Sequence, residues 1–360
     1  MSALQRVLRF VLASLLAASA SVGLAQTPVF GPGVAMPDKD TRAWLLRIQE
    51  AAKKRNFSGT FVFSAGGAMS SARITHYATF HRQGQQQFER VDSLDGPPRQ
   101  LLRHNDTVHT VWPQSGLVVV EKRDSGVTFP ALVLGAEEQV FSNYEVLTAK
   151  DSERVAGHEA LVLLLRPKDL HRYGYRLWSD KTSGLLLRAD VLGERGEVLE
   201  SSAFSEVTIG VKAQPELVLS AIKKLAALRV VKTQMSATTL EAHGWQLRAV
   251  VPGFKEIRCF QRPWGVAPDA PVSASTSAHN AANNTAPAQT LQVIYSDGLT
   301  HVSLFVEPFD GARHGRQVPT VLGATKTFSV RQADWWITAV GDVPLSTLRS
   351  LALGLQRLRQ

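Results

Sequence analysis

From residue 57 onward the chain alternates short apolar runs with clusters of glycine, proline, asparagine and aspartate. That punctuation predicts strands at 57–64, 73–79, 87–94, 99–104, 107–112 and 117–122, then at 144–148, 161–166, 173–179, 185–192 and 198–209, joined as an antiparallel meander. Ahead of them, Asp40 is expected to cap a helix with Trp44, Ile48, Ala51 and Ala52 on one face. Several strands fail to alternate apolar with polar residues, notably Leu161-Val162-Leu163-Leu164-Leu165, Leu185-Leu186-Leu187 and Val118-Val119-Val120. A strand with one wet face alternates, so both faces of these are expected to be covered. One helix of about 15 residues shields only part of such a sheet. Further helices, sheet closure, a second domain or a bound apolar ligand must cover the rest.

The strand pattern stops at 211–243, where an apolar segment at 217–228 reads as a connecting helix within a linker. A second set of strands follows at 246–251, 257–262, 291–296, 302–306, 325–330 and 335–340. A last helix begins at Pro344 and places Leu345, Leu348, Ala352, Leu355 and Leu358 on one stripe. Residues 266–289, rich in Ala, Ser, Asn, Pro and Thr, interrupt this second sheet as a disordered insertion. The fold class is therefore α+β. It comprises an N-terminal domain at 38–210, a linker, and a smaller C-terminal domain at 244–360 with an antiparallel sheet and a packed helix.

Composition narrows the function. The 360 residues are 44% apolar and 20% charged, which suits two globular domains. Arg6 and Arg9 precede an apolar run at 10–22 that ends in Gly23-Leu24-Ala25, the layout of a cleaved secretory signal peptide at 1–25. The formal charge is +9; losing those two arginines leaves 38 basic residues against 31 acidic, or +7. Export out of the cytoplasm makes nucleic acid an unsuitable partner. Anionic lipid head groups or an acidic protein segment fit that charge, as does a mere aid to solubility. The lone Cys259 rules out an internal disulfide, a cysteine zinc site and a C-x-x-C redox pair.

A search for catalytic motifs yields little. G-x-S-x-G, H-E-x-x-H, Walker and dinucleotide patterns are absent. Ser220-Ala221-Ile222-Lys223 matches S-x-x-K, but the companion Lys181-Thr182-Ser183 lies upstream and lacks its glycine. The histidine pairs His76/His81 and His104/His109 lack a carboxylate cluster at ligand spacing, so no metal site or cofactor is expected. Asn105 and Asn283 open N-x-T triplets, relevant only to a eukaryotic source. Aromatic residues are more suggestive. Phe61 and Phe63 share a face of the first strand, and Trp112, Tyr175 and Trp178 lie on other strands of the same sheet. These five are ordinary core residues or, if the sheet encloses a ligand, the wall of a lipid site.

The same residues carry a family likeness. Asn56-Phe57-Ser58-Gly59-Thr60-Phe61-Val62-Phe63, Phe88-Glu89-Arg90, Leu94-Asp95-Gly96-Pro97-Pro98-Arg99, Arg103-His104-Asn105-Asp106, Tyr175-Arg176-Leu177-Trp178 and Gly184-Leu185-Leu186-Leu187-Arg188 resemble the opening domain of the MucB/RseB family. Trp245, Pro252-Gly253-Phe254, Ser296-Asp297-Gly298-Leu299 and Val302-Ser303-Leu304-Phe305-Val306-Glu307 resemble its C-terminal module. The likeness spans about 40–340; the 266–289 insertion and the polar stretch from Gln83 to Gln87 depart from it.

The resemblance implies a half-open antiparallel barrel with helices across its mouth, similar to the lipoprotein carriers LolA and LolB. It also implies a periplasmic regulator of the sigma-E (AlgU) envelope stress response. Such a protein binds the periplasmic segment of a transmembrane anti-sigma factor, RseA or MucA, and shields it from site-1 proteolysis until lipid or lipopolysaccharide fragments release it. The linker is then the expected hinge, with the anti-sigma contact residues unassigned and a homo-oligomer left open. A lipid or lipoprotein carrier without an anti-sigma partner is the alternative, and an exported hydrolase using Ser220 the third class.

Overall fold

The computed structural model describes residues 33–34, 38–82, 84–122, 137–232, 235–263, 289–315 and 319–358. The leader at 1–25 and nearly all of the 266–289 insertion lie outside them. In chain order the first part comprises β1 (Gly33–Val34), α1 (Asp38–Lys54), β2 (Phe57–Ala65), β3 (Ala68–His81), β4 (Gly84–Ser93), β5 (Gln100–His104), β6 (Thr107–Trp112) and β7 (Leu117–Lys122). It continues with α2 (Glu137–Asn143), β8 (Tyr144–Ala149), β9 (Glu153–Val155), β10 (His158–Pro167), β11 (Gly174–Asp180), β12 (Leu186–Leu192), β13 (Val198–Ile209), α3 (Pro215–Lys224) and β14 (Arg229–Lys232).

These strands form one large sheet in the order β1-β8-β10-β11-β12-β13-β2-β3-β4-β5-β6-β7-β14, with β9 added beside β10. Among the described residues its two ends do not pair, so the sheet is open. All its pairs are antiparallel except β7 with β14.

The non-alternating strands are explained by cover on both faces. In β10, Leu163 and Leu165 join a cluster with Tyr175, Leu177 and Ala189 that packs under Leu45 and Ile48 of α1. From the same strand, Ala160 and Val162 join a second cluster with Phe57, Ile74, Trp178 and Phe204. The residues α1 buries are Thr41, Leu45, Ile48 and Ala51. Trp44 and Ala52, expected on that face, are only half-buried. Trp44 sits at the margin of the helix stripe, where Arg47 lies 4.7 Å from its ring.

The segment expected as a linker packs instead. Val218 and Leu225 are buried against Tyr77, Phe88, Leu102, Val111 and Val118. The helix ends sooner than 217–228 suggested, because a tight turn at Leu225–Ala227 leads directly into β14 alongside β7.

The second part comprises β15 (Ser236–Ala237), β16 (Trp245–Leu247), β17 (Lys255–Pro263), β18 (Gln289–Ser296), β19 (His301–Pro308), β20 (Thr320–Leu322), β21 (Thr325–Gln332), β22 (Trp335–Gly341), α4 (Leu345–Gly354) and β23 (Leu355–Arg357). Its main sheet runs β15-β17-β18-β19-β22-β21-β20, while β16 and β23 pair separately. The chain thus leaves the first sheet at Lys232 and enters the second at Ser236.

A core of Trp245, Val293, Val302, Leu304, Ile337, Leu348, Leu351 and Leu355 joins this sheet to α4. The expected stripe through Leu355 and Leu358 is cut short, since the helix stops at Gly354 and Leu355 pairs with Leu247. The expected strand at 246–251 shrinks to three residues because its partner β23 is that short. Among the described residues no helix is long and apolar enough to cross a membrane.

Ile48 is 1% exposed and Leu46 45%, so neighbouring positions of one helix test its seating. Ile48→Ala is expected to lower unfolding free energy in urea by about 2–5 kcal/mol, and Leu46→Ala by about 0.5 kcal/mol or less.

Candidate functional site at the domain interface

The motifs of the second domain converge on one turn. Asp297, between β18 and β19, accepts the backbone N–H groups of Leu299 and Thr300 on Oδ1, each at 2.9 Å. That leaves Oδ2 pointing into the first domain. There it accepts Tyr144 Oη at 2.7 Å and Arg172 Nη1 at 2.9 Å. Both charged side chains are fully buried.

Arg172, in the loop before β11, is held from several directions. Its Nε and Nη2 form a fork on Asp169, both at 2.9 Å, and Nη2 also donates to Pro252 O at 2.6 Å. Phe254 lies 5.1 Å below the guanidinium. Burial by itself would raise the Asp169 carboxyl, but hydrogen bonds from Arg172 and the His171 N–H hold it below the usual range. Burial pushes the Tyr144 hydroxyl well above its ordinary value, and the Asp297 carboxylate pushes it further. Tyr144 therefore remains a neutral donor.

Backbone contacts complete the seam. Gln139 of α2 donates to Ser296 O at 2.8 Å and Gly253 O at 3.2 Å, and Asn143 donates to Asp297 O at 2.8 Å. Thr347 of α4 donates to His171 O at 2.8 Å. Gly253 has φ +81°, and a Cβ there would sit 2.3 Å from Asn143 Oδ1 and 2.7 Å from Arg172 Nη2. Only glycine lets the Pro252–Phe254 corner approach the guanidinium. Leu299 and Ala324 of the second domain are buried in the first domain's cluster beside Tyr175 and Leu163. At the far end of the seam, Gly323 (φ +60°) lies so close to Ala65 that a Cβ would come within 2.6 Å of that residue's Cβ.

The five aromatic residues expected to wall a lipid site are dispersed. Tyr175 is in the cluster under α1, beside the domain interface. Trp178, three residues along the same strand, lies in the other cluster, against which Phe61 packs, and its Nε1 donates to Glu153 Oε2 at 2.8 Å. Phe63 and Trp112 are half-buried and belong to neither cluster.

Two clefts lie elsewhere. One of about 290 Å³ is lined by Arg47, Glu50, Ala51, Lys54, Arg55, Phe80 and Ser183 at the C-terminal end of α1. The other, about 320 Å³, opens at the seam between the β2–β3 turn, the start of β13 and Val321 and Gly323. Ser220 is exposed and donates to Leu217 O within its own helix. Cys259 is buried, and burial raises its thiol to about 11.

This two-domain arrangement matches known proteins along its length. The model of the MucB/RseB N-terminal domain covers residues 40–222, and that of the MucB/RseB C-terminal domain covers 239–356. The chain belongs to the MucB/RseB family. Over 321 residues it is 32% identical to the sigma factor AlgU regulatory protein MucB of Pseudomonas aeruginosa, spanning 88% of this chain and 91% of that protein. The sigma-E factor regulatory protein RseB of Escherichia coli K12 is 21% identical over 310 residues, 86% of this chain and 88% of that one. A crystal structure of MucB in complex with MucA(peri) superposes with a TM-score of 0.61 at 27% identity, covering 89% of this chain and all of that one.

In this MucB/RseB chain the Pro252-Gly253-Phe254 and Ser296-Asp297-Gly298-Leu299 motifs are the second domain's half of the interface. Sequence reasoning missed its other half. Arg172 and Asp169 stand three apart in a polar loop, a spacing with no periodic or motif signal.

Removing one member of a buried ion pair leaves the other without its counter-charge. Arg172→Ala is expected to cost about 3–5 kcal/mol in urea unfolding. The exposed ion pair of Arg166 with Glu145 is a control, and Arg166→Ala should cost about 1 kcal/mol or less. Small-angle scattering should show a larger radius of gyration for Arg172→Ala alone.

Proposed function

We propose that this protein binds the periplasmic segment of a transmembrane anti-sigma factor and shields it from site-1 proteolysis. The observation that carries this reading is the match to MucB in complex with MucA(peri), which runs through both domains and the whole length of that chain. A segment captured by the two-domain unit loses the conformational freedom a protease needs to extend its substrate. The leader at 1–25 supports a periplasmic location, where such a segment is accessible.

We infer further that lipid or lipopolysaccharide fragments act as the releasing signal. Support comes from the cleft at the end of α1, where Arg47, Lys54 and Arg55 surround the exposed ring of Phe80. Cations beside an aromatic surface suit a phosphorylated head group next to an acyl chain. α1 seals the apolar cluster that contains Tyr175, so a ligand that pulls on α1 bears directly on the domain interface. Its influence on the anti-sigma segment equals its difference in affinity for the two states, and no more. Of the residues proposed as an acyl wall (Phe61, Phe63, Trp112, Tyr175 and Trp178), Tyr175 is the one under α1 that a shift of this helix would uncover. A carrier without an anti-sigma partner would use the same surfaces.

Proteolysis of a purified anti-sigma periplasmic segment by its site-1 protease tests this. Equimolar protein is expected to slow cleavage at least tenfold, and lipopolysaccharide fragments to restore it. In Lys54→Glu/Arg55→Glu, restoration should require several-fold more lipopolysaccharide. Cleavage indifferent to the protein would overturn the regulator reading and favour the carrier.

A further inference from the structure

We propose that the seam cleft beside β20 docks an extended segment of a partner protein that carries an arginine or lysine between apolar residues. The proposal rests on the reading that this chain captures a protein segment, and it adds a surface and the chemistry of what that surface takes.

Three observations converge there. β20 ends the second sheet; among the described residues it pairs with β21 alone, and Thr320, Val321 and Leu322 are all exposed. An unpaired strand edge presents a row of N–H and C=O groups that an extended segment can join. At the cleft stand three exposed apolar side chains from two elements: Val198 (51% exposed) and Val321 (63%), which line it, and Leu322 (59%), whose Cδ1 approaches Gly66. Single exposed apolar residues need no explanation, but three grouped beside a free edge make a patch.

The third observation sets the charge. Glu200 lines the cleft from β13 and faces Asp342 across the seam, with the Ala324 N–H donating to its carboxylate. Among the described residues no lysine or arginine pairs with either acid. Asp342 accepts Thr325 Oγ1 at 2.6 Å, and the nearby Lys326 lies over the Tyr173 ring at 5.3 Å. The other titratable neighbour, Tyr175, stays neutral because burial raises its hydroxyl well above the ordinary value. Burial and the Asp342 carboxylate push Glu200 up to about 7. A partner's cation entering the cleft relieves both, whereas an acidic or phosphorylated segment would add a third negative charge. The apolar rim and the free edge then favour a flanking apolar residue on an extended backbone.

Below about 7 Glu200 is protonated and attracts a cation weakly; as pH rises through that value it ionises and binding tightens.

The test uses the full mature chain and a fluorescein-labelled nine-residue peptide of alternating threonine and valine with arginine at its centre. A twin peptide carries glutamate there. By fluorescence anisotropy at pH 8 the arginine peptide is expected to bind at least tenfold more tightly than its twin, and this preference should shrink several-fold at pH 5.5. Glu200→Gln should remove both the preference and its pH dependence. Val321→Ser and Val198→Ser should weaken both peptides, with circular dichroism confirming that each variant is folded.

Equal binding of the two peptides at pH 8, or unchanged preference in Glu200→Gln, overturns the proposal. Arginine-peptide binding together with failure to capture an anti-sigma segment sinks the earlier reading alone. Capture of that segment without discrimination between the peptides sinks this one alone.

Discussion

The buried contact between Arg172 and Asp297 is the interaction on which the rest of the arrangement depends. Neither side chain touches water, so each has lost its hydration and must recover it from protein donors and acceptors. Asp297 does so with four hydrogen bonds, two from its own turn and two from the other domain. Arg172 does so with the Asp169 fork, Asp297 and Pro252 O. Because this set of bonds is satisfied in one geometry, the pair specifies how the domains meet more than it strengthens their meeting. The apolar contribution comes from Leu299 and Ala324, which the same turn geometry delivers into the first domain's core.

That constraint relocates the hinge. The sequence suggested a flexible stretch at 211–243, but most of it is bound down: α3 packs on the sheet and β14 extends the sheet's edge. The crossing from Lys232 to Ser236 is short, so the interface rather than the tether limits domain motion. A ligand that separates the domains must compensate for a buried arginine losing its carboxylate. One that shifts α1 must instead compensate for the apolar contact of Leu45 and Ile48 and the bonds that Gln85 and Gln87 donate to Lys53 O.

Much of the first sheet was legible because its signals are local. β6, β7 and β13 begin and end where turn residues and apolar runs said they would. The refusal of Leu161 to Leu165 to alternate correctly announced cover on both faces, supplied here by protein on each side. What stayed illegible was non-local. The short β14, β20 and β23 exist because a partner strand is presented to them, and Leu355, though buried in the core with Leu348 and Ala352, leaves the helix to pair with Leu247 of β16.

The site shows the same division. The motif residues at 252–254 and 296–299 were recognised as characteristic, yet nothing in their composition revealed that they enclose Arg172. Conversely, the five aromatic residues looked like one wall because each lies on the same sheet. Tyr175 and Trp178 are three apart on a strand, an odd separation that sends them to opposite faces where the strand is regular.

Charge is where the structure changes the picture most. A formal charge of +9 reads as a general preference for anions, but the two clefts have opposite characters. Arg47, Lys54 and Arg55 gather at the end of α1, while Glu200 and Asp342 face each other at the domain seam. Coulomb attraction at a site is set by charges within about 10 Å, since salt screens the remainder. The net charge therefore says little about either cleft. An anionic ligand and a cationic segment can each find a complementary surface on one chain, one beside the helix that seals the core and the other on the seam that helix helps to support.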